Sequence, residues 1–502
     1  MQRRWTALSC ALGALGLSAC ATTAASPAGR EVSVPQARDS YFVAGAQRAR
    51  EAPSGARAKN LILFVGDGMG IATVTAARIY AGQRAGRDGE SNALAMDTFP
   101  HTAFSRTYSH DMQVSESAST ATAIVSGVKT RGGGLGLTAG AAEGKCGDVD
   151  ANVARSIFEV AEAQGFATGV VTTARLTHAT PGSTYAHTPD RNWENDVLVA
   201  QGNGAPCADI ARQLIEWPFG DGFEIAMGGG RANFLPDTLA DPETPNAKGA
   251  RADGRNLAAE WAARPNRAYV WNSAQLAAAP ADAQVLGLFS PSHMAYENDR
   301  ARDPAGEPSL KDMTLAAIRR LARDPDGYVL MVEGGRIDHG HHEGRAGEAL
   351  SEAVAMDEAI RAALDATSRN DTLIVVTADH SHTLTISGYA RRGTPILGLS
   401  TNSETGEVAL ATDGKPYTTL GYMNGPGAVP AGTPRPDLRS VDTTAQSFKQ
   451  QALVPTPFAE THAGEDVPIY AWGPGDENFA GTLEQHAIFH IAARALGLSF
   501  AR

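Results

Sequence analysis

The chain has 502 residues, with 43 Lys and Arg against 55 Asp and Glu, a formal net charge of -12, and 4 cysteines. With 43% hydrophobic and 20% charged residues it has ordinary globular usage, which excludes a disordered, fibrous or small disulfide-stapled chain and leaves one large α/β unit or several domains. The acidic balance and the lack of a long basic run exclude a nucleic-acid-binding module, which would cluster Lys and Arg against phosphates; a small anionic ligand would have to be met locally, by a metal ion or a single arginine.

Residues 1–19 read as a signal peptide, with a basic start at Arg3 and Arg4, an apolar run from Trp5 to Leu17 and a small-residue site before Cys20. The run is too short to span a bilayer as a stable anchor, so export to the periplasm or cell surface is expected. Leu17-Ser18-Ala19-Cys20 resembles the bacterial lipobox, which implies that Cys20 is lipidated and anchors the chain to a membrane; the alternative is plain cleavage after Ala19. Residues 20–59, rich in Ala, Ser, Thr, Pro and Arg, are expected to form a tether with at most one short helix. Cys10 and Cys20 belong to the export segment, leaving Cys146 and Cys207 in the folded part. In an oxidising compartment that pair is expected to form a disulfide, the alternative being two buried free thiols.

The main domain, residues 60–502, opens with Leu61-Ile-Leu-Phe-Val65, then Gly66-Asp67-Gly68-Met69-Gly70 and a helix-like pattern to Tyr80. Strand, glycine turn and helix make the βα unit of a parallel sheet, with functional groups expected at the strand's carboxyl end. Further apolar runs at Ala167 to Thr172, Phe223 to Met227, Tyr328 to Val332 and Thr372 to Thr377 alternate with helix-like segments at Val153 to Gln164, Leu310 to Arg323 and Glu348 to Ala366. The expected fold is an α/β three-layer sandwich with a large, mostly parallel central sheet. From Ile386 to Glu460 the texture turns to Gly, Pro, Thr and Ser, as in an inserted cap of short strands and loops.

Asp67 alone is a weak signal, because Asp and Gly are common turn formers. Two later strands end alike, however: Tyr328 to Val332 runs into Glu333-Gly-Gly-Arg-Ile-Asp338-His339-Gly-His-His342, and Thr372 to Thr377 into Ala378-Asp379-His380-Ser381-His382. Three strands delivering carboxylates and imidazoles at one end suit zinc at the nitrogen-rich positions and magnesium at the oxygen-rich ones. Asp338 and His342, four apart, share a face if a helical turn follows the strand. His101, His110, His293, His486 and His490 stand alone and are read as surface or satisfied core residues. A helix opening at Ser117 would aim free amides and its positive end at an anion, and a hydroxyl there beside a metal would become a nucleophile without a histidine base.

Gly66-Asp-Gly-Met-Gly70, Glu116-Ser-Ala-Ser-Thr-Ala-Thr-Ala123, Val332-Glu-Gly-Gly-Arg-Ile-Asp-His-Gly-His-His-Glu343, Thr377-Ala-Asp-His380 and Thr461-His-Ala-Gly-Glu-Asp466 together resemble the motifs of the alkaline phosphatase family, in order, over most of the chain. The resemblance implies hydrolysis of small phosphate monoesters at alkaline pH, with release of inorganic phosphate. Ser117 would be the nucleophile of a phosphoserine intermediate. Asp338, His342 and His462 would hold one Zn2+, and Asp67, Asp379 and His380 a second. Asp67, Glu333 and Thr180 would hold one Mg2+. Arg191 would fork onto two phosphate oxygens, a geometry lysine cannot copy. His178 and His339 match the animal-type arrangement and are expected beside the magnesium. Animal-type members also carry a peripheral Ca2+ site; Glu243, Phe289 and Glu307 supply part of one, but Ser290 stands where an acidic ligand is expected, which argues against calcium. Residues 386–460 fall where the family carries its crown insertion, and the family is commonly a homodimer.

Two other readings are distinct in kind. One is a related hydrolase on the same metal scaffold, such as a phosphodiesterase or sulfatase, against which the third metal set and Arg191 weigh. The other is a lipoprotein that sequesters zinc or phosphate without turnover, against which the complete set of nucleophile and ligand candidates weighs.

Overall fold

In the computed structural model, which describes residues 32–51, 56–244 and 246–501, the continuous apolar runs become neighbouring strands. The strands of the main sheet are β1 (Asn60–Gly66), β2 (His101–Arg106), β3 (Ala167–Arg175), β4 (Ile225–Gly229), β5 (Arg267–Val270), β6 (Gln284–Leu288), β7 (Tyr328–Gly334), β8 (Thr372–Ala378), β9 (Val467–Trp472) and β10 (Gly481–Glu484). They form one 10-stranded sheet in the order β10-β2-β9-β8-β1-β7-β3-β4-β6-β5. Within it β9 runs antiparallel to β2 and β8, and the other pairs are parallel.

The helices that matter for the site and its support are α1 (Ser40–Glu51), α2 (Ile71–Arg84), α3 (Ser117–Ser126), α4 (Ile157–Ala163), α5 (Leu310–Leu321), α6 (Arg336–His342), α7 (Ala346–Ala366) and α8 (Ala487–Leu496). Alternate residues of β1 feed two cores. Leu61, Leu63 and Val65 pack with Val125 of α3, Val160 of α4 and Ile488 of α8. Ile62 and Phe64 pack with Val74 of α2, Ile318 of α5 and Met356 of α7. Helices on both faces are why the central strands read as unbroken apolar runs. The start of α4 is set by Ser156, whose hydroxyl accepts from the Glu159 amide while the Glu159 carboxylate accepts from the Ser156 amide. That cap begins the helix four residues later than the apolar pattern suggests.

Register places the functional groups level with one another. Gly66, the last residue of β1, pairs with Gly334 on β7 and Ala378 on β8, so Asp67 and Asp379 emerge side by side. Glu333 lies against Val65 on one side and Thr172 of β3 on the other.

Part of the expected tether is folded. Val32–Ser33 pairs in parallel with Phe500–Ala501, and α1 buries Phe42, Gly45 and Ala49 against α8, with the Phe42 ring 4.4 Å from that of His490. This is the one short helix allowed for in the tether; its buried stripe is narrow and made partly of small residues, so its docking on α8 was not legible in the sequence. Cys20 and the signal segment lie outside the described residues. Residues 386–460 carry two strands, Leu420–Asn424 and Ala452–Val454, of a separate three-stranded sheet completed by Leu384–Ile386. Cys146 and Cys207 are joined in a disulfide, their Cα atoms 5.6 Å apart. No helix among the described residues is long and apolar enough to cross a membrane.

Candidate metal centre

The turn after β1 presents Asp67. Gly68 has φ 65°, and a Cβ there would lie 2.3 Å from His382 Cδ2, so both backbone and space demand glycine. Its amide donates to Asp379 Oδ1 at 3.0 Å, tying the β1 turn to the β8 turn.

α3 opens at Ser117 behind Glu116, whose carboxylate caps the helix by accepting from the amides of Ala118 and Ser119, both at 2.9 Å. The same carboxylate accepts from the Gly133 amide at 3.0 Å and pairs with Arg191 Nη1 at 2.7 Å. Burial alone would raise the Glu116 carboxyl, but Arg191 and the two helix amides outweigh it and hold it at about 2. Arg191 Nη2 also lies 3.0 Å from His178 Nε2.

Around Ser117 lie three adjoining groups of donors. In the first, His342 Nε2 and His462 Nε2 lie 3.2 and 3.4 Å from Asp338 Oδ1 and 3.2 Å from each other. His342 Nδ1 donates to the Glu460 carbonyl at 2.6 Å and His462 Nδ1 to the Ser115 carbonyl at 2.8 Å. With Nδ1 carrying the proton in both rings, two Nε2 lone pairs face one point, which is repulsive unless a cation lies between them. Burial raises the Asp338 carboxyl, and His342, His382 and His462 outweigh it and hold it well below the usual range.

In the second group, His380 Nε2 lies 3.4 Å from Asp67 Oδ1, 3.3 Å from Asp379 Oδ2 and 3.2 Å from Ser117 Oγ. The His380 and His462 rings stack at 3.6 Å, joining this group to the first, and Asp338 lies close enough to share a cation with Asp67 and His380. The third group brings Asp67, Glu333 and His178 together. Here Asp67 Oδ2, Glu333 Oε1, Thr180 Oγ1 and His178 Nδ1 are buried without a hydrogen-bond partner among the described residues. Burial, then the charges of Asp379, Asp338 and Glu333, push the Asp67 carboxyl well up; burial likewise pushes Glu333 to about 8, against a short hydrogen bond from Thr172 Oγ1 and with Asp379 adding to the rise. Orphaned oxygens among mutually repelling carboxylates fit a bound divalent cation, which would supply the missing partner and offset the charge.

The sequence-derived ligands Asp67, Asp338, His342, Asp379, His380 and His462 therefore converge, as do Glu333 and Thr180, with Ser117 and Arg191 beside them. His178 lies in the third group with Asp67 and Glu333. The His339 ring meets it edge-on, centroids 5.7 Å apart, together with a residue read as unremarkable: the His293 ring lies 4.1 Å from His339 and 5.4 Å from His178, and the Arg175 amide donates to it. His382, Glu460 and Thr172 were also missed as site residues; the one local signal was the His-Ser-His spacing of His380 and His382. Of the residues considered for calcium, Glu243 is bound to Arg231 at 2.7 Å and lies beside Asp303, and Glu307 accepts from the Ala295 amide at 2.8 Å.

A buried serine at a helix start, flanked by three carboxylate and imidazole groups at the carboxyl ends of parallel strands, defines the class: a metal-dependent hydrolase on an α/β sheet. Residues 58–498 match the family described as alkaline phosphatase. The chain is 44% identical over 450 residues to the tissue-nonspecific alkaline phosphatase of Gallus gallus, covering 87% of this chain and 84% of that one. It is 44% identical over 448 residues to the alkaline phosphatase of Gadus morhua, covering 88% and 92%. The solved alkaline phosphatase of Thermus thermophilus superposes with a TM-score of 0.64 at 27% identity, over 92% of this chain and 96% of that one. The chain belongs to the alkaline phosphatase family and is a phosphate monoester hydrolase.

Proposed function

We propose that the chain hydrolyses phosphate monoesters through a phosphoserine at Ser117. The Asp338, His342, His462 group and the Asp67, Asp379, His380 group would each hold Zn2+, and Asp67, Glu333 and Thr180 would hold Mg2+. The observation that carries this reading is the Ser117 hydroxyl, 3.2 Å from His380 Nε2 and 3.5 Å from Asp67 Oδ1, at the start of a buried helix. Bound cations supply the positive charge that stabilises entering and leaving oxygens and favours the serine alkoxide.

Within that frame Ser117 Oγ attacks phosphorus in line. The Oγ–P bond forms as the bond from phosphorus to the ester oxygen breaks, and the alcohol leaves with a proton. Water then attacks phosphorus from the vacated side, the Oγ–P bond breaks, Ser117 regains its proton and inorganic phosphate departs. Arg191, held between Glu116 and His178, hydrogen-bonds the non-bridging oxygens. His178 and His339 sit where they bias the preference of the magnesium site.

The same reading takes residues 1–19 as an export signal, Cys20 as the lipid-bearing residue of a periplasmic or cell-surface lipoprotein, and the enzyme as a homodimer. Tyr389, Leu453 and Phe458, exposed at 89%, 72% and 92% on the crown-like insertion, support an interface between copies.

The test is turnover of p-nitrophenyl phosphate, bis-p-nitrophenyl phosphate and p-nitrophenyl sulfate by wild type and Ser117→Ala, with metal analysis of both. The reading expects monoester turnover that Ser117→Ala and EDTA each abolish, with zinc and magnesium bound. Dominant diesterase or sulfatase turnover, or an active Ser117→Ala protein, would overturn it.

A further inference from the structure

Glu460, at the far end of the crown-like insertion, is 1% exposed and plays no part in the steps above. Its Oε1 accepts from the Thr383 amide and the Thr383 hydroxyl, both at 2.6 Å, and its Oε2 lies 2.5 Å from His382 Nδ1. The other ring nitrogen, His382 Nε2, lies 2.8 Å from Asp338 Oδ1. Held at Nδ1 by Glu460, the buried His382 ring is fixed with Nε2 against Asp338 Oδ1, so Glu460 sets the position of the ring that packs on that carboxylate. The Glu460 backbone carbonyl, meanwhile, receives the Nδ1 proton of His342 and leaves Nε2 as a lone pair. One buried residue thus orients two members of the first donor group, Asp338 through His382 and His342 directly. The insertion grips α6 at a second place, where Tyr422 OH lies 2.8 Å from His341 Nδ1, but that contact touches no member of the group.

We propose that Glu460 is a positioning residue for the Asp338, His342, His462 site, so that the crown-like insertion sets how tightly that site holds its cation. This rests on the reading that the group binds zinc. Outer partners of this kind fix ring orientation and ligand basicity, and their loss costs about 10- to 100-fold in metal affinity.

The experiment is zinc affinity by chelator competition, with melting of the metal-free proteins alongside, for wild type, Glu460→Gln, Tyr422→Phe and Asp338→Ala. Glu460→Gln is expected to weaken one zinc by about 10- to 100-fold. Its metal-free form should melt with wild type, and excess zinc should restore its turnover. Tyr422→Phe is expected to keep wild-type affinity. Zinc affinity of Glu460→Gln equal to wild type would overturn the proposal, as would an equal loss in Tyr422→Phe, which would make the effect a general loosening of α6. If Glu460→Gln does not fold, His382→Gln breaks the same relay and must show the same zinc loss. Full zinc retention by Asp338→Ala would instead sink the assignment of the site itself.

Discussion

Replacing Arg191 by lysine keeps the charge and removes the fork. In the structure Nη1 is committed to Glu116 Oε2 at 2.7 Å and Nη2 to His178 Nε2 at 3.0 Å, so the guanidinium is fixed on one side and its remaining N–H groups are free for a phosphoryl group. Glu116, held at about 2 by Arg191 and the α3 amides against the opposing effect of burial, stays ionised throughout any practical assay range and keeps the arginine in place. A lysine ammonium reaches Glu116 or the ligand from a single point and forfeits one charge-assisted hydrogen bond, worth about 1.5 to 3 kcal/mol. At about 1.4 kcal/mol per decade, kcat/KM for p-nitrophenyl phosphate should fall roughly 10- to 150-fold. The lost bond is to phosphoryl oxygens present in substrate and product alike, so the inhibition constant of inorganic phosphate should rise by a comparable factor. A fall under about threefold in both quantities would refute the assignment, because no forked contact would then have been lost.

The Cys146–Cys207 disulfide spans 61 residues, a loop that carries both Thr180 and Arg191. Reducing it, or substituting both cysteines by serine, should cost about 4 kcal/mol in urea denaturation by loop entropy, and an unchanged midpoint would contradict that. In the metal-free protein, burial, partly opposed by the Thr172 bond and reinforced by Asp379, raises the folded-state Glu333 carboxyl to about 8. The folded state then holds this proton more tightly than the unfolded one, so the Glu333 contribution to stability is fully present below the unfolded carboxyl range and is lost as pH rises towards about 8. The metal-free protein should therefore melt lower at about pH 8 than at about pH 6, and saturating magnesium should abolish that slope. Away from the site, Glu162 shares a carboxylate cluster with Asp221 and Glu224; burial and then Glu224 push it to about 9. By the same sign, Glu162→Gln should melt above wild type at about pH 9 and show no gain at about pH 5, and a gain independent of pH would count against the raised carboxyl.

What could be read in advance followed from burial on both faces and from position at strand ends. β1, β3, β4, β7 and β8 are covered by helices above and below, so each is an unbroken apolar run, and the residues just beyond three of them carry the ligands. β2 gave no such run: it lies near the sheet edge, alternates, and leaves Phe104 at 44% exposure. β5 is only 4 residues long and largely half-buried. One short helix was allowed for in the tether, but the packing of α1 onto α8 was not legible because its buried stripe is Phe42, Gly45 and Ala49, and the Gly45 position is one where a Cβ would clash with His490, so close packing rather than apolar bulk holds it. The supporting residues were harder still. Glu460 meets His382 across 78 residues and Glu116 meets Arg191 across 75, contacts that exist only once the sheet has assembled. His293 carries no periodic signal, and its place against His339 is set by the loop that follows β6.

The central claim is a covalent phosphoserine at Ser117, and acid quenching during turnover followed by mass spectrometry of the peptide that contains it tests this most directly. Wild type should carry phosphate on Ser117, and Ser117→Ala should show neither phosphopeptide nor turnover. Phosphate on another residue, or undiminished hydrolysis by Ser117→Ala, would contradict it.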